Sequence, residues 1–293
     1  VQMSRVDRIY SEKATDILEN GYSEKDVKIS NVRPVWEDDK GQEAAYTKYL
    51  AQQVVDYQEG EVPIINLRKI AWKTAIKELL WIYQDRTNDV SILKEKYKVH
   101  YWDSWVNEEG NLGKAYGYQT SKEIISPETG EKTNQVNRLI DQLRENPLNR
   151  RHIINLMDMD DLADMTLIPC AFMTMWTVTE DRLNMTLIQR SGDYLAAAGP
   201  GGINAFQYYV LMRMVAQVTG YKPGRMVHFV QNLHIYDRHK DIVEEIMSKD
   251  ADKKGPSLWI NPEVKNFDDF TIDDFKLIDY DPDKSKYKIP IAI

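Results

Sequence analysis

Two alternating segments decide the fold: FMTMWTVT at 172–179 and LNMTLIQR at 183–190. Apolar and polar residues alternate in both, which is typical of strands with one buried face. Asp181 and Arg182 form a turn between them. The second strand should present one face made of Leu183, Met185, Leu187 and Gln189. We therefore predict an antiparallel pair whose second strand ends in polar, chemically useful side chains.

Helical patterns surround this pair. Apolar residues at helical spacing predict amphipathic helices at 4–21, 72–83 and 136–146, and a long apolar helix at 205–219. Further strand-like segments occur at 46–57 and 227–230. Helices interleaved with mostly antiparallel strands favour an α+β fold over a doubly wound sheet. Since no repeat or composition break divides the chain, we predict one domain over residues 1–293.

Composition narrows the possible functions. The chain has 293 residues, 42% of them apolar, and a formal net charge of −8. Such a charge argues against general binding to nucleic acid or to an anionic membrane. A single cysteine excludes internal disulfides and a multi-cysteine metal site. With no apolar run long enough to span a bilayer, the sequence predicts a cytoplasmic protein.

The only cysteine, Cys170, precedes an arginine, a carboxylate, an amide and an imidazole: Arg190, Asp193, Asn204 and His234. This mixture suits a nucleophile that works beside an anionic, hydrogen-bonding substrate. Three hypotheses remain open: a cysteine hydrolase with His234 as base, a cysteine nucleophile acting on a phosphorylated substrate, and a binding protein whose cysteine is inert. The arginines that favour the second hypothesis are Arg33, Arg150, Arg151 and Arg190.

Several residues have two interpretations from sequence alone. Glu78 lies opposite the apolar stripe of its helix, so it is either a surface glutamate or a covered carboxyl with a raised pKa. Asn204 and Gln207 look like a helix-capping pair. Trp102 and Trp105 share a face that serves either the core or a ligand.

Taken together, these motifs resemble the folate-dependent thymidylate synthase family. The resemblance is carried by Pro169-Cys170, Gln189-Arg190-Ser191-x-Asp193 and His234-x-Tyr236. The helix from Trp72 to Trp81, the double arginine after Asn146-Pro147, and the segments Asn261-Pro262-Glu263 and Asp273-Asp274-Phe275 also match, so the likeness covers nearly the whole chain.

The resemblance implies an α+β fold with a large twisted, mainly antiparallel or mixed sheet covered by helices. It also implies an obligate homodimer in which Arg150 and Arg151 serve the partner's phosphate site, with no membrane and no obligatory nucleic acid. Cys170 is implied to attack C6 of dUMP, whose C5 then takes a one-carbon unit from 5,10-methylenetetrahydrofolate to give dTMP. No metal is implied.

The implied residue roles fall into three sets. Catalysis is implied for Cys170, Glu78, Tyr116, Arg190 and Asp193. Substrate binding is implied for Arg33, Arg150, Arg151, Gln189, Arg190, Ser191, Asp193, Asn204, His234 and Tyr236. Folate binding is implied for Trp102, Trp105, Asp193 and Ala292.

The sequence departs from the family pattern at Ala171, at Gly192, in a longer segment at 194–204 and at Gln231-Asn232. The longer segment could admit water to the reacting carbon, which would give 5-hydroxymethyl-dUMP instead of dTMP. The apolar tail from Ile291 to Ile293 is expected to close the site and exclude water. We therefore predict methylation and retain hydroxymethylation as the alternative.

Overall fold

The computed structural model describes residues 3–27, 34–39 and 43–293. The α-helices are α1 Arg5–Asn20, α2 Trp72–Tyr83, α3 Val90–Tyr97, α4 Gly117–Ser121, α5 Gln135–Glu145, α6 Asn204–Thr219 and α7 Lys240–Met247. The strands are β1 Tyr22–Ser23, β2 Thr47–Tyr57, β3 Ile124–Ile125, β4 Lys132–Thr133, β5 Ile153–Asn155, β6 Ala171–Thr179, β7 Arg182–Asp193, β8 Lys222–Tyr236, β9 Ser257–Ile260 and β10 Phe275–Ile278. Among these helices, none is both long and apolar enough to cross a membrane.

The main sheet is mixed. Within the described residues it has six strands in the order β1-β2-β8-β7-β6-β5. Strands β7 and β8 run parallel, and the other neighbours run antiparallel. The predicted β6–β7 hairpin is confirmed, but its turn is formed by Glu180 and Asp181, since Arg182 already pairs with Thr179. The face with Leu183, Met185, Leu187 and Gln189 is buried as the alternation predicts. The expected α+β class is therefore confirmed.

Helix α6 is the central helix against this sheet. Twelve of its sixteen residues are buried, because it packs between α2 and strands β7 and β8. The helix ends at Gly220, whose φ of 84° is the left-handed conformation that glycine adopts at low cost. The predicted boundaries of α2 and of the α6 C-terminus agree with the structure.

The capping interpretation of Asn204 and Gln207 is wrong. The N-cap position of α6 is Ile203, and Asn204 already belongs to the first helical turn. The backbone N–H of Asn204 donates to the Ala197 carbonyl at 2.8 Å, so the preceding segment satisfies the helix start. This arrangement leaves the Asn204 and Gln207 side chains available for bonds in the interior.

Candidate active site

The sole cysteine lies beside an arginine. Cys170 is half-buried and immediately precedes β6, and the Arg190 backbone N–H on β7 donates to its carbonyl at 2.9 Å. The Arg190 guanidinium donates to the carbonyls of Ile168 and Pro169 at 2.6 and 3.0 Å, and its Nη2 lies 3.6 Å from Cys170 Sγ. Burial raises the pKa of the thiol, and the positive charge of Arg190 partly opposes that rise.

Glu78 is buried, with 6% of its surface exposed, so the covered alternative is correct. Trp102 Nε1 donates to Oε2 at 2.8 Å and Gln207 Nε2 donates to Oε1 at 3.1 Å. The Tyr101 hydroxyl also donates to Oε2. Burial raises the pKa of Glu78, and the bonds from Trp102 and Gln207 oppose the rise by favouring the ionised form. Such a carboxyl suits proton transfer near neutral pH.

A chain of amides leads from β8 to Glu78. His228 Nε2 lies 2.8 Å from Gln189 Oε1, and Gln189 Nε2 donates to Asn204 Oδ1 at 3.2 Å. Asn204 Nδ2 then donates to Gln207 Oε1 at 3.5 Å. Burial lowers the pKa of His228 to about 4, so it is neutral at pH 7 and donates through Nε2. One continuous hydrogen-bond network therefore joins His228 on β8 to the Glu78 carboxyl.

Tyr116 occupies a strained position next to this network. Its φ is 50° and its ψ −108°, a region that non-glycine residues seldom adopt and that is often tolerated for function. The ring packs edge-on against Trp102 at 5.1 Å. Burial raises the pKa of Tyr116 well above its ordinary value, and the nearby Cys170 and Glu78 raise it further. The phenol is therefore a neutral donor at physiological pH.

Asp193 lies where β7 ends and the next segment turns. Its Oδ1 accepts from the backbone N–H groups of Leu195 and Ala196 at 3.0 and 3.2 Å, and lies 3.8 Å from His239 Nδ1. Burial pushes the pKa of Asp193 upward, but the nearby His239 ring and its charge outweigh that effect, so the net pKa is lowered. The same pair raises the pKa of His239 against its own burial.

The segment at 194–204 is packed into the core. Tyr194 stacks on Tyr10 with ring centres 5.1 Å apart, and Arg68 donates to the Leu195 carbonyl at 3.2 Å. A Cβ at Gly192 would come within 2.5 Å of the Ala198 Cβ. Gly192 and the longer segment, two departures from the family pattern, therefore depend on each other: the missing side chain at Gly192 leaves the space that Ala198 fills. The segment fills its space, which argues against a water path along it.

The chain's last residues are docked. Val35 and Ile293 exchange both backbone hydrogen bonds at 2.9 Å, and Ala292 pairs with the buried Trp36. His239 Nε2 donates to the Pro290 carbonyl at 2.7 Å. The expected docking of the tail is present, although it rests on backbone bonds. The side chains of Ile291 and Ile293 remain half exposed.

The histidine and tyrosine of the His-x-Tyr motif end β8. His234 Nδ1 lies 3.0 Å from Asn232 Oδ1, and its ring meets the Tyr236 ring edge-on at 5.2 Å. Burial lowers the pKa of His234, so the ring is neutral and its Nδ1 donates. Asn232 therefore orients His234. Ser191 follows Arg190 on β7, and its carbonyl accepts from Gln189 at 3.0 Å.

The double arginine lies apart from these residues, in the turn before β5. Arg150 and Arg151 are exposed, and within the described part of the chain neither guanidinium has a hydrogen-bond or ion-pair partner. The turn itself is fixed, since Asn149 donates to Glu128 at 3.1 Å and accepts from the Arg151 backbone N–H at 3.1 Å. Arg33 lies outside the described residues.

The described residues contain no group of three or more His, Cys, Asp or Glu side chains that could hold a metal ion.

Comparison with known proteins identifies the family. The family model for thymidylate synthase matches residues 8–293. The chain belongs to the thymidylate synthase family. The thymidylate synthases of Bacillus mojavensis and of Bacillus phage phi3T are each 44% identical over 278 residues, covering 95% of this chain and 96% of the relative. The solved structure of thermostable thymidylate synthase A from Bacillus subtilis matches with a TM-score of 0.88 and 42% identity, over 99% of this chain and 100% of that one.

These findings confirm the predicted family, fold and methyltransferase class. They favour thymidylate synthase over the hydroxymethylase, hydrolase and inert-cysteine alternatives. The family pattern did not reveal Tyr101, Gln207 or His239, which the structure adds to the site. In the sequence, Tyr101 belongs to none of the motifs quoted above, and the pattern assigns Gln207 to a helix-capping pair.

Proposed function

We propose that this chain catalyses the reductive methylation of dUMP to dTMP with 5,10-methylenetetrahydrofolate. The observation that carries the proposal is the sole cysteine held 3.6 Å from the Arg190 guanidinium, in a chain of this family. A cation at that distance favours the thiolate and can also hold a phosphate oxygen. The proposal places the enzyme in the cytoplasm, as a single domain.

Cys170 would be the nucleophile. Its Sγ attacks C6 of the uracil ring, and C5 becomes a carbon nucleophile. Because burial raises the pKa of the free thiol, deprotonation depends on the opposing positive charge of Arg190. Bound folate supplies the one-carbon unit and then a hydride. Breakdown of the adduct returns the thiolate and releases dTMP.

Glu78 and Tyr116 would move protons. The Glu78 carboxyl, with its raised pKa, exchanges a proton at the ring carbonyl side, and Tyr116 assists loss of the C5 proton. Asn204 offers one acceptor and one donor, which match the N3–H and O4 of uracil. Gln189 supports Asn204 from the strand side. His234 and Tyr236 would hold the ribose hydroxyl.

The folate site would lie between the aromatic cluster and the docked tail. Trp102 is buried beneath Tyr101 and holds Glu78, so the more accessible Trp105 fits the role of a ring platform better. Asp193 would bind the pterin with the oxygen that its own loop leaves free. Ala292 would close the site with the tail.

The phosphate would be held by Arg190 and Ser191 of one subunit and by Arg150 and Arg151 of a partner, with Arg33 as a further ligand. Two guanidinium groups that have no partner among the described residues, on an ordered turn remote from their own cysteine, fit a role in trans. The uncovered face of the sheet supports a dimer. Across it, an apolar row is in register over four strands: Val54, Phe229, Ile188 and Met173. Half-buried apolar residues in central strands indicate a surface that a second copy covers.

Product analysis tests the function. Incubation with dUMP and methylenetetrahydrofolate should form one dihydrofolate, followed by absorbance, per dTMP identified by mass. A hydroxymethyl product without dihydrofolate would support the alternative instead. Cys170→Ser should abolish turnover while dUMP still binds; near-normal turnover of this variant would exclude the covalent mechanism.

Subunit mixing tests the dimer. Cys170→Ser and Arg150→Ala proteins should each be inactive, and mixing them should restore part of the activity after subunit exchange. In a mixed dimer, one site combines an intact cysteine with an intact arginine from its partner. If exchange is confirmed by labelling and no activity returns, the arginines act within their own subunit.

A further inference from the structure

The orientation of the Asn204 amide is determined from two sides. On one side Gln189 Nε2 donates to Asn204 Oδ1, and on the other Asn204 Nδ2 donates to Gln207 Oε1. An amide can rotate by half a turn at little steric cost, since its oxygen and nitrogen are similar in size. The two neighbouring glutamines therefore decide which atom of Asn204 faces which way.

Both glutamines are themselves oriented by backbone carbonyls. Gln189 Nε2 donates to the Ser191 carbonyl at 3.0 Å, and Gln207 Nε2 donates to the Ala75 carbonyl at 2.9 Å. A carbonyl only accepts, so in each glutamine the nitrogen must face it. Gln189 then presents a donor to Asn204, and Gln207 presents an acceptor. Rotating Asn204 would bring oxygen against oxygen and nitrogen against nitrogen.

This orientation decides which base the site accepts. Uracil presents a donor at N3 and an acceptor at O4, whereas cytosine presents an acceptor at N3 and a donor on its amino group. The two bases are therefore read by opposite orientations of one amide. Removing Gln207 would leave Asn204 restrained only by Gln189.

We propose that Gln207 is a positioning residue, which holds Asn204 in the orientation selective for uracil and links it to Glu78. Gln207 is 2% exposed, and its Nε2 divides its bonds between the Ala75 carbonyl and Glu78 Oε1 at 3.1 Å. Recognition of the base edge and the state of the Glu78 carboxyl are thereby coupled through one side chain. The inference rests on the proposed function, in which Asn204 contacts the base.

Gln207→Met tests both consequences. This variant keeps the side-chain length and removes the acceptor for Asn204 and the donor for Glu78. The ratio of the dissociation constants for dCMP and dUMP should fall by about tenfold, the effect of losing one directed hydrogen bond. The limb of the kcat/KM pH profile that reflects Glu78 should move to higher pH, because a bond that lowers the pKa of Glu78 is lost.

A matched control lies on the same helix. Gln217 Nε2 donates to the carbonyls of Asn261 and Val264 at 2.9 and 2.8 Å, so Gln217→Met removes similar bonds far from the base site. It should lower stability without changing the dCMP/dUMP ratio or the pH profile. If Gln217→Met changes the ratio as much as Gln207→Met does, a general loss of packing is responsible and the proposal is wrong.

Gln207→Glu separates the two effects and serves if Gln207→Met does not fold. It retains an acceptor towards Asn204, so the dCMP/dUMP ratio should stay near the wild-type value. A second carboxyl beside Glu78 makes the pair keep one proton to higher pH, so the limb should again move upward. Wild-type conversion of dUMP is measured first, because its failure refutes the proposed function. Wild-type conversion together with an unchanged ratio in Gln207→Met, or with an unchanged limb in Gln207→Glu, refutes the inference alone.

Discussion

Gly192→Ala should destabilise the protein by forcing the segment at 194–204 out of position. The added Cβ would lie 2.5 Å from the Ala198 Cβ and 3.0 Å from Val230 Cγ1. Carbon atoms in contact lie about 3.5–4.0 Å apart, so one of these groups must move by about 1 Å. Ala198 cannot retreat freely, because its backbone N–H donates to the Asp193 carbonyl at 2.8 Å. Overpacking of this kind costs about 1–3 kcal/mol of unfolding free energy.

The assay is urea unfolding at one fixed protein concentration, since the apparent stability of the proposed dimer would depend on concentration. Ala198→Gly in the same chain removes the closest clash, so the double variant should recover at least about 1 kcal/mol relative to the sum of the two single changes. Gly255→Ala is the control. A Cβ there would meet only Ser4 Cβ at 3.9 Å, and stability should change by less than about 0.5 kcal/mol.

Two results would refute this reasoning. The first is a Gly192→Ala protein as stable as the wild type, which would mean that the segment has room to spare. The second is a double variant whose loss equals the sum of its parts, which would mean that Gly192 and Ala198 do not share the space. The nucleotide product of Gly192→Ala, identified by mass, also shows whether displacing the segment admits water.

Three further predictions concern the site itself. Arg190→Leu should slow iodoacetamide alkylation of Cys170 several-fold at pH 8, because loss of the cation raises the pKa of the thiol further. The control, Arg182→Leu on the same strand, should leave the rate unchanged. Equal alkylation rates for the two variants would contradict the role of the Arg190 charge. Glu78→Gln should lower kcat by about 10²–10⁴-fold. Since the folded-state pKa of Glu78 is raised, the wild type loses stability as pH rises from the unfolded carboxyl value of about 4.3 towards the folded one. The unfolding free energy of Glu78→Gln, measured in urea, should therefore rise relative to that of the wild type between pH 5 and pH 8. If the difference in unfolding free energy between the two proteins is the same at both pH values, the pKa of Glu78 is not raised. Deleting the last two residues removes both backbone hydrogen bonds to Val35, so the unfolding free energy should fall by about 1–3 kcal/mol. The rate of dihydrofolate formation should fall by more than this loss of stability explains, because the tail no longer closes the site. A loss of activity no larger than the loss of stability explains would indicate that the tail has only a structural role.

The local sequence pattern was sufficient to predict the main secondary-structure elements and the hairpin beside Cys170. Helix α2 has the predicted limits, and the alternation in β7 correctly assigned its buried face. These features depend on periods of 3.6 and 2 residues, which backbone geometry imposes on any stretch of chain. Arg190 lies near Cys170 because a tight hairpin joins the strand that follows the cysteine to the strand that contains the arginine. The sequence by itself therefore determined the hairpin and the main helix, and the hairpin in turn brings the sole cysteine close to a cation.

Tertiary structure alone decided what surrounds Glu78 and Asn204. The helix pattern left Glu78 between surface and interior, and it is buried because Trp102 and Gln207, 24 and 129 residues away in sequence, cover it and satisfy its oxygens. The capping interpretation failed for the same reason: the chain before α6 satisfies the helix start, which turns two amides inward. The departure at Gly192 has no explanation in local sequence, because the atom that occupies its side-chain space is the Cβ of Ala198 in the following segment. Long-range packing and hydrogen-bond direction have no period along the chain, so only the assembled fold reveals them.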